Sequence, residues 1–188
     1  MTYSFSKSHC FDDVLLVPGF SEISSRSDIK IESSLGAEIK FRLPVISSPM
    51  DTVTESEMCI GMERSGGFGI IHRYNSIQDQ ADQVKKALAS SRFVGAAVGV
   101  SGDYIDRTCA LRDAGASLVC VDIAHGHHSL MRHALKALRN TFGTSLHIMA
   151  GNVATLEGFN ALSDWGADSI RVGIGGGSIC STRLKTGH

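Results

Sequence analysis

The chain has 188 residues, 43% of them hydrophobic, which is enough to bury one sizeable core, so one domain is expected. Its formal net charge is −1 and it has no basic run, which argues against nucleic acid and anionic membranes as partners. No apolar stretch approaches the ~20 residues of a membrane span, and the amino terminus lacks a signal-peptide core. The 5 cysteines form no CxxC pair, which predicts a reduced, cytoplasmic protein.

Beyond the first 40 or so residues, the chain alternates between short apolar runs and helical stretches. Nearly continuous apolar runs are typical of parallel strands covered by helices. Six strands are predicted, at 43–47, 68–72, 93–100, 117–124, 146–150 and 169–174. Thr54 and Glu57 form a capping box that predicts the start of the first helix, while Ser76 and Thr155 are expected to begin later ones. Further helices are predicted at 103–114, 128–141 and 154–165.

Three similar segments, GGFGII, GASLVCV and GADSIRV, each place a helix-ending glycine just before a strand. Their spacing gives about 25 residues per strand–helix unit, as in βα repeats. An α/β fold with a parallel sheet follows. A doubly wound sheet could stop at six strands, whereas a (β/α)8 TIM barrel needs eight. Polar residues follow five of the six strands, which favours a barrel over a Rossmann sheet, since a switch-point crevice uses fewer strands.

The glycine-rich stretch GIGGGSICSTR, residues 173–183, follows the sixth strand. It is a weak dinucleotide fingerprint, because such a motif should follow a first strand and precede a distant acid. As an anion cradle it is better, since glycines let backbone N–H groups approach phosphate and Ser178 adds a hydroxyl. Cys180, exposed on a loop, is a candidate nucleophile. The alternative is a flexible terminal loop with an idle thiol.

Other strand ends leave alternatives open. The histidines of VDIAHGHH could ligate zinc, although no matching ligand set accompanies them, and they also suit a loop and a helix start. Asp122 could bind a ribose hydroxyl, orient a substrate or serve structure alone. Asn152 could bind an amide or a hydroxyl, or cap a turn. A helix start leaves Ser48 and Met50 unexplained.

The motifs FDDVLLVPGFSE, SSPMDTVTE, GGFGIIHR, VGAAVGV, AGNVAT and VGIGGGSICSTR occur in this order. Together they resemble the family of IMP dehydrogenases and GMP reductases over essentially the whole chain. The resemblance implies a (β/α)8 barrel, a nicotinamide dinucleotide cofactor and a homotetramer. It implies that Cys180 attacks C2 of the purine ring. A dehydrogenase then passes hydride to NAD and hydrolyses the adduct to XMP, whereas a reductase releases ammonia from GMP and takes hydride from NADPH.

The resemblance also assigns roles to individual residues. The family's nucleotide-binding residues match Ser48, Met50 and Ser178, and its cofactor-binding residues match Asp122, Asn152 and Arg171. Its potassium-binding backbone carbonyls match those of Gly175, Gly177 and Cys180. Thr182 matches a threonine used in catalysis by both branches.

Some residues distinguish the branches. MDTVTESEM and GGFGIIHR favour the dehydrogenase with IMP and NAD, while Ile123-Ala124 and KTG favour the reductase with GMP and NADPH. No regulatory CBS domain interrupts the stretch before the third strand. We expect residues 1–188 to form one partial barrel of six βα units, truncated before strands seven and eight and the catalytic flap. A non-catalytic relative that binds nucleotide or a partner chain is a further alternative.

Overall fold

The computed structural model of the chain describes residue 9, residues 13–176 and residues 180–187. The chain divides into two compact units, residues 31–174 and residues 1–30 together with 175–188. Every strand of the described residues lies in the larger unit, which therefore carries the sheet. No helix in the described part of the chain is both long and apolar enough to cross a lipid bilayer.

The larger unit contains a short hairpin followed by a six-stranded parallel sheet. The hairpin strands, which pair antiparallel, are β1 (Ser33–Leu35) and β2 (Ile39–Phe41). The sheet consists of β3 (Ile46–Ser47), β4 (Phe68–Ile71), β5 (Gly95–Val98), β6 (Leu118–Asp122), β7 (His147–Val153) and β8 (Ser169–Val172). Its spatial order follows the chain from β3 to β8 without reversal.

Helices connect the strands at every crossover of this sheet. They are α1 (Ser56–Ser65), α2 (Ile77–Leu88), α3 (Tyr104–Asp113), α4 (Ser129–Phe142) and α5 (Leu156–Asp164). A doubly wound sheet would reverse its strand order at a switch point, and this sheet does not. The predicted fold class is confirmed, with six βα units of the barrel plan present.

The repeated glycines end their helices as predicted. Gly66, Gly115 and Gly166 have φ angles of 90°, 97° and 107°, a left-handed backbone that side chains disfavour. Ser76 and Thr155 are confirmed as N-caps of α2 and α5, because their side chains accept hydrogen bonds from backbone N–H groups.

Apolar side chains on the two faces of the sheet form two cores. Alternate residues such as Ala96, Val98 and Val119 pack against the helices on the outer face. The residues between them form an inner cluster that includes Phe68, Ile70, Ala97, Leu118, Cys120 and Met149, and the hairpin adds Ile39. A side chain that projects inward from a strand end therefore lies on the inner face, beside this cluster.

The expected capping box at Thr54 is wrong. The helix begins two residues later, its N-cap is Glu55, and no side chain caps it with a hydrogen bond. Thr54 is fully buried and its hydroxyl donates instead to the carbonyl of Ser48 over 2.6 Å. The hairpin was not predicted either, because its two strands are only three residues long.

Candidate active site

The carboxyl ends of β6 and β8 are joined by an ion pair on the inner side of the sheet. Asp122 ends β6, and side-chain alternation puts it on the same face as the inner-cluster residue Cys120. Arg171 on β8 donates from Nη1 to Asp122 Oδ1 over 2.5 Å. Each of the two side chains is 24% exposed, so the pair lies at the margin of the inner core. Two residues that the resemblance assigns to the cofactor thus meet in the structure.

Cys120 lies two residues before Asp122 on β6, on the same face of the sheet. Arg171 Nη1 is 3.9 Å from its sulfur, and the side chain is fully buried. Burial raises the pKa of the Cys120 thiol to about 12, because desolvation penalises the thiolate. The thiol is therefore protonated at neutral pH and unsuited to nucleophilic attack.

Asn152 ties three strand ends together. The pairing of β7 with β8 shifts register between Gly151 and Val153, which makes Asn152 the extra residue of a β-bulge. Its side-chain Nδ2 donates to the carbonyl of Gly173 over 2.8 Å, and its own carbonyl accepts from Gly126 N over 2.7 Å. Asn152 thus lies within β7 and does not cap a turn there, while binding of a ligand by Asn152 stays a prediction.

Ser48 and Met50 follow β3 in a tight turn. The backbone N–H of Met50 donates to the Ser48 carbonyl over 2.8 Å. Ser48 lines a cavity of about 200 Å³ together with Ile70, Met149 and Arg171. Met50 is 51% exposed and does not line that cavity. The structure thus brings Ser48 and Arg171 to one cavity and leaves Met50 at its outside.

Thr54 holds this turn in place, and its hydroxyl should be measurable there. Replacing Thr54 with valine keeps the shape but removes the donor to the Ser48 carbonyl. We expect the amide hydrogen of Met50, which shares that acceptor, to exchange about fivefold faster, since a lost hydrogen bond is worth about 1 kcal/mol. Hydrogen exchange followed by NMR or mass spectrometry measures this rate.

Thr54→Ser is the matched control, because it keeps the hydroxyl and loses only a methyl group. Its Met50 amide should exchange at close to the wild-type rate. Equal acceleration in the serine and valine variants would show that packing, and not the hydrogen bond, orders the turn.

A buried polar network that the sequence did not reveal supports the ends of β4 and β5. Gln80 on α2 is fully buried, and its Nε2 donates to the carbonyls of His72 over 2.9 Å and Ala97 over 2.8 Å. Arg107 on α3 donates to Gln80 Oε1 over 2.8 Å. His72, itself 3% exposed, contacts Glu55 Oε1 through Nε2 at 3.1 Å. The network fixes the two strand ends by bonds from three helical segments.

Two of the histidines after β6, His127 and His128, make local structural contacts. His128 is the N-cap of α4, where its Nδ1 accepts from the Leu130 N–H over 3.1 Å. The His127 ring lies 5.8 Å from the Trp165 ring. Among the described residues, no three His, Cys, Asp or Glu side chains are grouped so that they could hold a metal. The helix-start alternative for His128 is confirmed.

From Gly175 onward, the glycine-rich loop belongs to the smaller unit. Cys180 is partly buried and stands two residues before α6 (Thr182–Thr186). Gly175 has a φ of 69°, a backbone conformation in which a side chain would be strained. Gly177 and Ser178, predicted for potassium and phosphate, lie outside the described residues. The roles of the loop residues therefore stay predictions.

Comparisons with known proteins give one consistent family. A family model described as the IMP dehydrogenase / GMP reductase domain matches residues 8–188. An inosine-5'-monophosphate dehydrogenase of Cryptosporidium parvum is 33% identical over 99% of this chain and 56% of its own length. A GMP reductase of Variovorax paradoxus (strain S110) is 35% identical over 94% of this chain and 54% of its own length. An inosine-5'-monophosphate dehydrogenase of Nitrosopumilus maritimus (strain SCM1) is 27% identical over 97% of this chain and 64% of its own length.

The chain thus spans 54% to 64% of the length of these curated relatives. Proteins of both names match, and the identities do not separate the two branches. The match covers both units of the structure and agrees with the sequential parallel sheet. The chain belongs to the IMP dehydrogenase / GMP reductase family.

Proposed function

We propose that this chain is part of a purine-nucleotide oxidoreductase that oxidises IMP to XMP with NAD through a covalent bond between Cys180 and C2 of the purine. The observation that supports this most is the junction of strand ends in the larger unit. Ser48 and Arg171 line one cavity, and Arg171 is hydrogen-bonded to Asp122. These residues come from strands far apart in the sequence, yet the resemblance assigns all of them to nucleotide or cofactor.

The residues at this junction suit a dinucleotide cofactor. Arg171 binds Oδ1 of Asp122, and within the described residues no hydrogen bond occupies its Oδ2. A carboxylate oxygen in that state can accept a ribose hydroxyl. A nicotinamide, when bound, accepts or supplies the hydride. Asp122 would hold its ribose, and Arg171 would keep the carboxylate oriented.

The nucleotide would be held by residues of the β3 turn and of the glycine-rich loop. We propose that Ser48 and Met50 contact it, that Ser178 binds its phosphate and that Cys180 supplies the nucleophilic sulfur. In the dehydrogenase direction the sulfur bonds to C2, and the hydrogen on C2 leaves with its electron pair as hydride. Thr182 would assist proton transfer. Potassium at the carbonyls of Gly175, Gly177 and Cys180, a homotetramer and a cytoplasmic location are further parts of the proposal.

GMP reductase is the second candidate, and one observation favours it. The alignment with the Variovorax reductase extends over 179 residues and needs few gaps, whereas the one with the Nitrosopumilus dehydrogenase extends over 307. The dehydrogenase therefore has residues within the matched span that this chain lacks. The short connection between α2, which ends at Leu88, and β5, which begins at Gly95, is consistent with a compact barrel that has no CBS insertion.

A single-turnover assay tests the proposal and separates the branches. The chain is mixed with IMP and NAD, and absorbance at the reduced-nicotinamide band is followed. We expect a rise of up to about one reduced nicotinamide per chain, because hydride transfer needs only the thiolate and the two bound ligands. A fall in that band with GMP and NADPH would instead assign the reductase.

Asp122→Asn is the variant that connects this assay to the site, because it weakens the acceptor without changing its shape. It should slow hydride transfer and leave IMP binding, measured by calorimetry, unchanged. Binding of IMP with no change in either assay would contradict the oxidoreductase and indicate a non-catalytic relative.

A further inference from the structure

We infer that Gly151 is a positioning residue of the candidate active site, because its missing side chain provides the path by which Arg171 reaches Asp122. The effect on cofactor binding rests on the proposed function, whereas the geometry does not. Gly151 touches neither nucleotide nor cofactor in this proposal. It acts through the arginine that crosses it.

The sheet register places Gly151 between the two charged residues. Asp122 on β6 pairs with Gly151 on β7, and Gly151 pairs with Arg171 on β8. Neighbouring strands lie about 4.8 Å apart, so the ends of β6 and β8 are separated by roughly twice that distance. The Arg171 side chain must therefore pass over the inner surface of β7 to reach the carboxylate. Gly151 is the β7 residue on that level and that face, two residues after the inner-cluster residue Met149.

Any side chain at this position would occupy the space of the arginine. A Cβ on Gly151 would stand 2.6 Å from Arg171 Cβ and 2.9 Å from the Arg171 carbonyl oxygen. Both distances are shorter than non-bonded contacts allow, and one of the two atoms is backbone. The guanidinium could no longer lie 2.5 Å from Asp122 Oδ1 without a shift of β8. A glycine at position 151 thus permits the close approach of Arg171 on which the ion pair depends, although the backbone at this residue has no left-handed φ.

A double-mutant cycle within the 188-residue chain measures this directly. Asp122→Asn, Arg171→Met and the double variant are unfolded in urea, with circular dichroism as the readout. We expect a coupling of about tenfold in the unfolding equilibrium constant, as for a close, partly buried pair. The same cycle is then repeated in the Gly151→Ala background. There the coupling should fall below about twofold, because the guanidinium no longer reaches the carboxylate.

Gly95→Ala is the matched control on the same face of the sheet. A Cβ there would lie 3.0 to 3.1 Å from side chains of Phe68, Ile70 and Leu118, so it also crowds the inner core. It should destabilise the chain and leave the coupling between Asp122 and Arg171 at about tenfold. A coupling that persists in the Gly151→Ala background, or that disappears equally in the Gly95→Ala background, would overturn the inference.

NAD binding gives a second test, independent of the unfolding measurements. Gly151→Ala should weaken NAD binding about as much as Arg171→Met does, and the two changes together should weaken it no further. Absence of NAD binding by the wild-type chain would count against the proposed function and leave the coupling result standing. Additive losses would count against the positioning role alone.

Should Gly151→Ala fail to fold, the double variant Gly151→Ala/Arg171→Gly decides the question. This variant removes the Cβ of residue 171, which would otherwise lie 2.6 Å from the methyl group at position 151. Recovery of cooperative unfolding in this variant supports the inference. A double variant that also stays unfolded contradicts it, since the obstacle would then be the backbone of β8, whose Arg171 carbonyl oxygen lies 2.9 Å away, and not the arginine side chain.

Discussion

Replacing Cys180 with serine should abolish covalent labelling of the chain by 6-chloropurine ribotide. The thiolate sulfur displaces chloride from the purine, so one S–C bond forms, one C–Cl bond breaks and chloride leaves. A serine hydroxyl at neutral pH does not perform this substitution, because so little of it is ionised. Intact mass and peptide mapping after incubation measure the adduct. We expect complete loss of the added mass, not a partial decrease.

The other described cysteines make this test specific. Cys59 and Cys120 are buried, and burial raises the pKa of each thiol to about 12. Both should stay unlabelled. Cys109 is partly buried, and Cys109→Ser should label to the same extent as the wild-type chain. Equal labelling of Cys109 or Cys59 with Cys180, or an adduct that survives in Cys180→Ser, would contradict the nucleophile assignment.

Replacing Arg107 with methionine should lower the free energy of unfolding by about 3 kcal/mol. Arg107 is 7% exposed and donates to Gln80 Oε1 over 2.8 Å and to the Asn75 carbonyl over 3.1 Å. Methionine fills similar space but leaves both acceptors without their donor. Since Gln80 is fully buried, its freed oxygen has no access to water. Urea unfolding at neutral pH measures the loss.

The matched control is Arg132→Met, the same substitution on the exposed side of α4. The Arg132 side chain makes no hydrogen bond or ion pair in the described part of the chain, so we expect no measurable change. A loss at Arg107 no larger than at Arg132 would refute the role of the network.

The pH dependence of the Arg107 effect has a definite sign. Its hydrogen bond to Asp103 Oδ2, 2.8 Å long, holds the pKa of that carboxyl below its ordinary 3.8. A lowered folded-state pKa stabilises the protein above the unfolded value and is lost as pH falls through the folded value. The difference between wild type and Arg107→Met should therefore shrink below about pH 4. A difference that grows on acidification would exclude this pair as a contributor.

Local sequence signals predicted much of the fold. The glycines before β4, β6 and β8 marked helix ends, because a helix that ends in a left-handed backbone conformation favours glycine at that position. The apolar runs located all six parallel strands, with ends that differ by a few residues. Both signals depend only on residues close together in the chain. Prediction succeeds where local preference and tertiary structure agree.

Tertiary contacts explain the failures. The residues around Thr54 have the pattern of a capping box, yet its hydroxyl donates a hydrogen bond to the carbonyl of Ser48, six residues earlier. The contact between Arg107 and Gln80 joins α3 to α2 across 27 residues. A glutamine on a buried helix face is the only trace of it in the sequence. The sequence indicates that such a residue needs a partner but does not identify it.

The candidate site was predicted as single residues and not as an arrangement. Asp122 and Arg171 were each assigned to the cofactor, but nothing in the sequence reveals that they bind one another. That contact depends on the register of three strands, in which Gly151 separates them. Register is fixed by the packing of whole sheet faces, so it cannot be read from two side chains.

The uninterrupted strand order has a consequence for how the chain reaches its fold. Each strand from β4 to β8 pairs with the strand made just before it, one helix earlier in the chain. Closing one crossover costs less conformational entropy than pairing strands far apart in the chain, so each new strand can add to an edge that is already formed. The sheet can therefore grow in the order of synthesis, and the inner-face residues at the carboxyl ends converge only once the neighbouring strands are in place.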